Sequence, residues 1–405
     1  MKYDIIIIGG GAAGFFTAIN AAEMDPSAKI LILERGKEVL TKVRISGGGR
    51  CNVTHAEFIP KELIKNYPRG EKELRGPFHQ FMTGDTIAWF EERGVQLKTE
   101  EDGRMFPVSD SSETIINCFL SEVKRLKIDL RKSEAVKSLQ NKNESWIVET
   151  SKAAYSAEKV VMATGSNPKI WNLLKRLGHT ITTAVPSLFT FNIKDERIKH
   201  LPGISTYARA KVQGEKLQDE GPLLITHWGL SGPAILKLSA WGARELHQRN
   251  YQFKIKVNWL PGFSSEEILE NLRQLKFDLA KQQVSKNAQF ELPKRLWQSL
   301  AEASGITENG IWADLNKAQL QALSSQLTEA EFQVNGKSTF KEEFVTAGGV
   351  DLKEVNFKTF ESKLHKNLFF AGEVLDIDAV TGGFNFQNAW TGGFIAAKTI
   401  ASKEN

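Results

Sequence analysis

The sequence predicts an α/β protein built on a parallel sheet, and three stretches predict it. Ile5-Ile6-Ile7-Ile8 runs directly into Gly9, Gly11 and Gly14 in G-x-G-x-x-G spacing. Lys29-Ile30-Leu31-Ile32-Leu33 is a second apolar run and ends in Glu34. Asn367-Leu368-Phe369-Phe370-Ala371-Gly372-Glu373 is a third, also closed by an acidic residue. Runs apolar on both faces belong to the interior of a parallel sheet.

The first stretch carries the most specific chemistry. Gly9 permits a sharp strand-to-helix turn, Gly11 lets backbone approach a pyrophosphate, and Gly14 lets the following helix pack close on the sheet. Ala18, Ile19 and Ala22 follow at helical intervals. The helix N-terminus then offers N–H groups and partial positive charge to phosphate. Glu34 stands about 20 residues after Gly14, where an acidic side chain meets the ribose hydroxyls of a dinucleotide. A carboxylate there disfavours a 2′-phosphate, so the ligand is FAD or NAD.

Next, Lys42-Val43-Arg44-Ile45-Ser46-Gly47-Gly48-Gly49-Arg50-Cys51-Asn52 sets three glycines among three cations. This reads as a flexible loop that lies against an anionic ligand. Cys51, with no paired cysteine nearby in sequence, reads as a small buried filler. Residues 85–94 read as a capped helix, and Ser111–Leu126 as an amphipathic one with Ile115, Ile116, Phe119, Val123 and Leu126 on one face. Short strands are expected at 135–139, 146–150 and 154–156, an antiparallel meander, before a separate buried strand, Lys159–Gly165, ending Ala163-Thr164-Gly165.

From Pro186 the pattern changes. Leu188–Ile193, Ala208–Val212 and Phe253–Val257 alternate as half-buried strands, and a helix is expected from Ala234 toward Leu246 with Pro233 in its first turn. Residues 264–330 carry helical signals. The middle third is therefore an insertion with a β part and a helical part. The C-terminal Gly382-Gly383-Phe384-Asn385-Phe386 opens a small-residue helix whose N-terminus suits the pyrimidine edge of a flavin.

Composition sets bounds. At 405 residues two or three domains are expected. Hydrophobic content of 41% and charged content of 25% exclude wholesale disorder. A net charge of +5 with no basic run gives no case for nucleic acid. Cys51 and Cys118 make no disulfide framework and no metal-ligand spacing, so no metal and a reduced, cytoplasmic setting are expected. No signal peptide is expected at the N-terminus, and no apolar run reaches the ~18 residues a membrane span needs.

The order of a βαβ unit, a helix, a meander and a strand ending Ala-Thr-Gly resembles the FAD domain of glutathione-reductase-like flavoproteins. More specifically, the chain resembles the BaiN/RdsA family of NAD(P)/FAD-dependent oxidoreductases, also described as aminoacetone-oxidase-like flavoproteins. Carrying the likeness are Ile45–Asn52, Gly103-Arg104-Met105-Phe106-Pro107, Thr226-His227-Trp228-Gly229-Leu230-Ser231-Gly232-Pro233, Thr346-Ala347-Gly348-Gly349-Val350, Ala371–Asp376 and Gly382–Trp390. Phe384, Phe386 and Trp228 stand where Tyr, Leu and Phe are usual.

The resemblance implies a Rossmann-type FAD-binding domain with an inserted β-barrel-like plus helical domain. The divisions are 1–187 and 346–405 for the FAD domain, 188–262 and 331–345 for the β insertion, and 263–330 for the helical subdomain. Candidate cofactor-binding residues are Gly9, Gly11, Ala12, Ala13, Gly14, Glu34, Arg35, Lys42, Arg44, Ser46, Gly47, Gly48, Asn52, Val136, Ala163, Thr164, Gly165, Gly372, Glu373, Gly383, Phe384, Asn385 and Phe386. Arg50 and His227 are the candidate catalytic groups. The expected activity is hydride transfer between flavin and a small organic substrate held between FAD domain and insertion. Enone reduction and amine oxidation both fit, with NAD(P)H as a transient co-substrate. A flavin-dependent tRNA-modifying enzyme and a non-catalytic flavin redox sensor are the alternatives. Substrate identity and oligomeric state stay open.

Overall fold

The computed structural model of this protein describes residues 1–142, 145–338 and 345–402. The chain divides into two compact units, Met1–Val185 with Lys341–Asn405, and Pro186–Phe340.

The first unit is organised on β1 (Lys2–Ile8), whose four isoleucines are all at most 3% exposed. β1 pairs in parallel with β2 (Ile30–Leu33) on one side, Ile5 opposite Ile30 and Ile8 opposite Leu33. On its other side it pairs with Ala154–Met162, Ile8 opposite Met162. Leu368–Phe370 and Asp129–Arg131 extend the parallel region outward. This explains why the apolar runs do not alternate: both faces are covered. α1 (Ala12–Met24) packs against the C-terminal helix Phe384–Ala401, where a Cβ on Gly393 would fall 2.9 Å from Thr17 Oγ1. Beside them Trp390, Phe16, Phe90 and Phe119 form one aromatic cluster with centroids 5.1–5.9 Å apart.

Two expectations change here. The meander's third strand and the Ala-Thr-Gly strand are one strand, Ala154–Met162. Its first residues pair antiparallel with Ser145–Thr150, and its last residues pair in parallel with Leu368–Phe370. No Gly, Pro or Asn separates Ser156 from Lys159, so nothing breaks it. The helix expected at 85–94 runs Thr83–Glu91, because the Asp85 carboxylate accepts the Met82 N–H at 2.8 Å and sets the start earlier. The second helix, Ser112–Arg125, is capped by Ser111, and Ile115, Ile116, Phe119 and Val123 are buried.

The second unit holds a seven-stranded antiparallel sheet ordered Ala330–Asn335, Gln252–Asn258, Ser205–Val212, Gln218–Thr226, Gly229–Ser231, Thr190–Asn192 and Lys337–Ser338. Its first and last members are separated in the chain by Gly336 alone, at φ +107, so the sheet closes on itself. Helices Ser265–Asp278, Lys294–Ala303 and Lys317–Thr328 share one apolar cluster with these strands, including Val257, Phe332, Leu272, Trp297 and Leu323. The expected strand from Leu188 shortens to Thr190–Asn192, since Leu188 is left-handed at φ +56. The helix after Pro233 stops at Trp241 and a second begins at Ala243. No helix of the described residues is long and apolar enough to cross a membrane, and none of their acidic, His and Cys clusters is placed to hold a metal.

Candidate functional site

The turn after β1 is shaped by two close approaches. A Cβ on Gly9 would lie 2.2 Å from the Ala163 carbonyl oxygen, and one on Gly14 would lie 2.0 Å from the Gly9 carbonyl oxygen. Only glycine fits at either place. Gly11 differs: its missing Cβ points into open space. The first bond inside α1 runs from Phe15 N–H to Gly11 O at 3.0 Å, so the N–H groups of Ala12, Ala13 and Gly14 precede it. Glu34, just past β2, accepts the N–H of Gly10 at 2.8 Å and of Gly36 at 2.6 Å. Its carbonyl accepts the Glu134 N–H at 2.8 Å, which sets Val136 nearby at the start of the next strand. Arg35 is exposed.

The cation-and-glycine stretch is not a free loop. Thr41 to Ile45 are helical, then Gly47, Gly48 and Gly49 turn the chain with φ of +57, +69 and +85. Leu40 N–H bonds Gly10 O at 2.9 Å, tying this segment to the first turn. Lys42 donates to the Glu373 carboxylate. Arg44 instead pairs with Glu113, and Ser46 Oγ donates to Val43 O at 3.0 Å. A Cβ on Gly47 would strike the Phe106 ring at 2.7 Å, while Gly48 and Gly49 face open space. Arg50 stacks 3.9 Å over Phe106 and donates to Glu100 at 2.5 Å, a bond that raises its pKa further. Cys51 is fully buried, and burial pushes its thiol up to about 12, so it holds no thiolate near neutrality.

The C-terminal pieces close the path. A Cβ on Gly372 would sit 3.1 Å from Ala13, and Gly165 lies beside the Glu373 carboxylate. Thr164 follows Ala163, whose N–H bonds Ile8 O at 2.8 Å. At the far end Gly383, at φ +94, begins the C-terminal helix. The Asn52 amide, oriented by its hydrogen bonds, donates to Thr54 O and accepts the Gly383 N–H, each at 3.0 Å. Gln387 N–H to Gly383 O, 3.0 Å, is the first bond inside the helix, so the N–H groups of Phe384, Asn385 and Phe386 precede it. The Asn385 side chain bridges the Ala379 N–H and C=O at 3.0 and 3.1 Å. Phe386 stacks on Trp390.

These contacts mark out a candidate path: Glu34 joins Gly10, Gly10 joins Leu40, Lys42 joins Glu373 beside Gly165, and Asn52 joins Gly383. Gly11, Gly48 and Gly49 face open space, and two helices begin within it, each with N–H groups ahead of its first internal bond. That donor set fits FAD. Glu34 would hold the ribose, Gly11 and the first turn of α1 the pyrophosphate, Glu373 the ribityl chain, and the Phe384–Phe386 N–H groups the flavin. His227 is exposed in the second unit, in the turn between Thr226 and Gly229.

Three residues escaped the sequence reading. Gly10 must lack a Cβ because one would fall 2.9 Å from Glu34 Cβ, and its place inside Gly9-Gly10-Gly11 was the available signal. His55 and Tyr67 both hold the Gly382–Phe384 turn, and nothing in their local sequence marks them.

The fold and this path define a Rossmann-type FAD-binding protein with an antiparallel second unit. Comparison with known proteins narrows it. Residues 3–399 match the HI0933-like protein Rossmann domain, and the chain belongs to that family of FAD-dependent oxidoreductases. It is 28% identical over 410 residues to the 3-dehydro-bile acid delta(4,6)-reductase of Clostridium scindens, covering 98% of each chain. It is 28% identical over 416 residues to the ribosomal RNA dihydrouridine synthase of Escherichia coli, covering 100% of this chain and 99% of that one. Among solved structures, 3-ketosteroid-delta4-(5alpha)-dehydrogenase from Rhodococcus jostii RHA1 superposes with a TM-score of 0.52 at 12% identity, covering 99% and 97% of the two chains, a likeness of fold.

Proposed function

We propose that this enzyme reduces a carbon–carbon double bond conjugated to a carbonyl, with NAD(P)H as the source of electrons. FAD, when bound, supplies the hydride chemistry. The chain's own part is to hold the pyrophosphate on the first turn of α1 and to set the Phe384–Phe386 donors against the flavin edge, where partial positive charge favours the reduced form.

The observation that carries this reading is a shared one. Two relatives spanning the whole chain, one named for a steroid-type Δ4,6-reductase and one for a dihydrouridine synthase, both have names that denote adding hydrogen across such a bond. The second name favours a further reading, a uracil base in ribosomal RNA as substrate. It stands against the expectation of no nucleic acid, which rested on a modest net charge and the absence of a basic run.

The test is anaerobic. Protein carrying FAD is mixed with NADH or NADPH while absorption near ~450 nm is followed. Then a 3-keto-4,6-diene steroid, unmodified ribosomal RNA or a primary amine is added. Bleaching by a nicotinamide, followed by recovery with the dienone or the RNA and a product two hydrogens heavier, supports the proposal. Bleaching by the amine, with recovery in oxygen, would replace it with an oxidase.

A further inference from the structure

We infer that His55 is a positioning residue for the flavin edge: by holding the Gly382–Phe384 turn, it sets how strongly the site favours reduced over oxidised FAD. This rests on the FAD path described above.

The turn is held by three side chains from one segment. Asn52 takes the Gly383 N–H at 3.0 Å, Tyr67 donates to Phe384 O at 2.7 Å, and His55 Nδ1 meets Gly382 O at 3.0 Å. A carbonyl oxygen only accepts, so Nδ1 carries the proton and the tautomer follows from the partner. The ring itself has little freedom. Phe384 stacks on it at 4.5 Å and 30°, and Gly103 packs against its other edge, where a Cβ would fall 2.6 Å from Nε2.

Gly382 and Gly383 have φ of +136 and +94, a conformation that glycine enters and leaves easily. Holding the Gly382 carbonyl therefore restrains the peptide planes just before the helix. The N–H groups of Phe384, Asn385 and Phe386 take their direction from those planes. If the His55 bond is lost, these donors drift, and their stabilisation of added negative charge weakens. On the assignment above the Gly9–Gly14 turn holds the pyrophosphate and His55 does not touch it, so binding and potential should separate.

The experiment uses the full chain loaded with FAD, and compares wild type with His55→Phe, His55→Asn and Gly103→Ala. Fluorescence titration gives the FAD Kd, and equilibration with a reference dye gives the two-electron midpoint potential. In His55→Phe, which keeps a ring on Phe384 but no donor, FAD binds within a few-fold of wild type. The preference for reduced flavin falls roughly tenfold, about 30 mV in the negative direction. His55→Asn, which keeps an N–H near the Nδ1 position, recovers most of that shift, whereas Gly103→Ala, which displaces the ring, reproduces it. An unchanged potential in His55→Phe with FAD bound overturns the inference, as does an equal shift in His55→Asn. If His55→Phe does not fold, Gly103→Ala decides by the same readout. Wild-type protein that takes up no FAD overturns the path itself and this inference with it.

Discussion

The two ends of the cofactor path differ in what holds them. Around Gly9–Gly14 the work is done by what is missing: backbone lies close on backbone because no Cβ intervenes, and one added at Gly14 or Gly9 would fall 2.0 or 2.2 Å from a carbonyl oxygen. Around Gly382–Phe386 it is done by side chains reaching from more than 300 residues away in sequence, Asn52, His55, Tyr67 and Arg69. At Gly9 and Gly14 the first end tolerates no added atom. The second depends on its distant partners as well as on Gly383, where a Cβ would fall 2.5 Å from the Thr54 carbonyl oxygen.

Gly14→Ala tests the first half of that contrast and should have the largest effect. Its methyl meets the Gly9 carbonyl, in a turn fixed by the Gly9 N–H bond to Leu33 O at 2.9 Å and by the contact of Gly9 with Ala163. More than about 4 kcal/mol of stability should be lost, read as failure to fold or a collapsed urea midpoint. Gly11→Ala is the control. Its methyl enters open space, so stability should stay within about 1 kcal/mol while FAD affinity falls at least about tenfold. A mild Gly14→Ala would mean that the turn is not held by close approach.

Asp378→Ala tests the second half. Asp378 is fully buried and bonded through both oxygens to Arg69, itself 10% exposed, and Val380 N–H bonds Asn66 O at 2.9 Å beside them. Removing one partner strands a buried charge and should cost about 3–5 kcal/mol by denaturant titration. A much smaller cost would show that the loop before the C-terminal helix is held by packing alone.

Glu34→Gln lies between the two, since a side chain there serves the backbone end. One oxygen remains for one of the two N–H groups, so about 1–3 kcal/mol should be lost, with weaker FAD retention measured by fluorescence. FAD affinity equal to wild type would remove the ribose assignment.

The same contrast explains what the sequence disclosed. Gly9, Gly11, Gly14 and Glu34 act within one βαβ unit, so their spacing is their geometry. Helix Ser112–Arg125 was legible for the same reason, since its cap and stripe are local. The Arg44 partner Glu113 is brought to it by tertiary packing, which local sequence does not record. The Asn52 amide joins the nearby Thr54 carbonyl to the distant Gly383 N–H, and the Asn385 side chain bridges both backbone groups of Ala379, partners that residue type alone does not announce. Closure of the second sheet through Gly336 depends on which strands neighbour one another, and alternation of apolar residues carries no record of that.

The smallest effect concerns a third clasp of the side-chain kind, remote from the flavin path. His179, 3% exposed, has Nδ1 2.9 Å from Glu354 and Nε2 3.2 Å from Ser362 Oγ. Ser362 Oγ already accepts the N–H groups of Leu364 and His365, so its own proton goes to Nε2 and His179 is neutral. Burial holds the imidazole pKa below its usual 6.5, against the opposing pull of Glu354. The unfolded chain therefore takes up a proton near pH 6.5 that the folded one refuses. The clasp's stability is fully present above that pH and is lost as pH falls, by at most about 1.4 kcal/mol per unit. Bonds from Thr180 and His179 overcome burial and keep the Glu354 carboxyl low, so its contribution is lost in the same direction at more acid pH. Urea midpoints between pH 7.5 and 5 should fall in wild type and flatten in His179→Gln. A parallel fall in both proteins would place the proton uptake elsewhere.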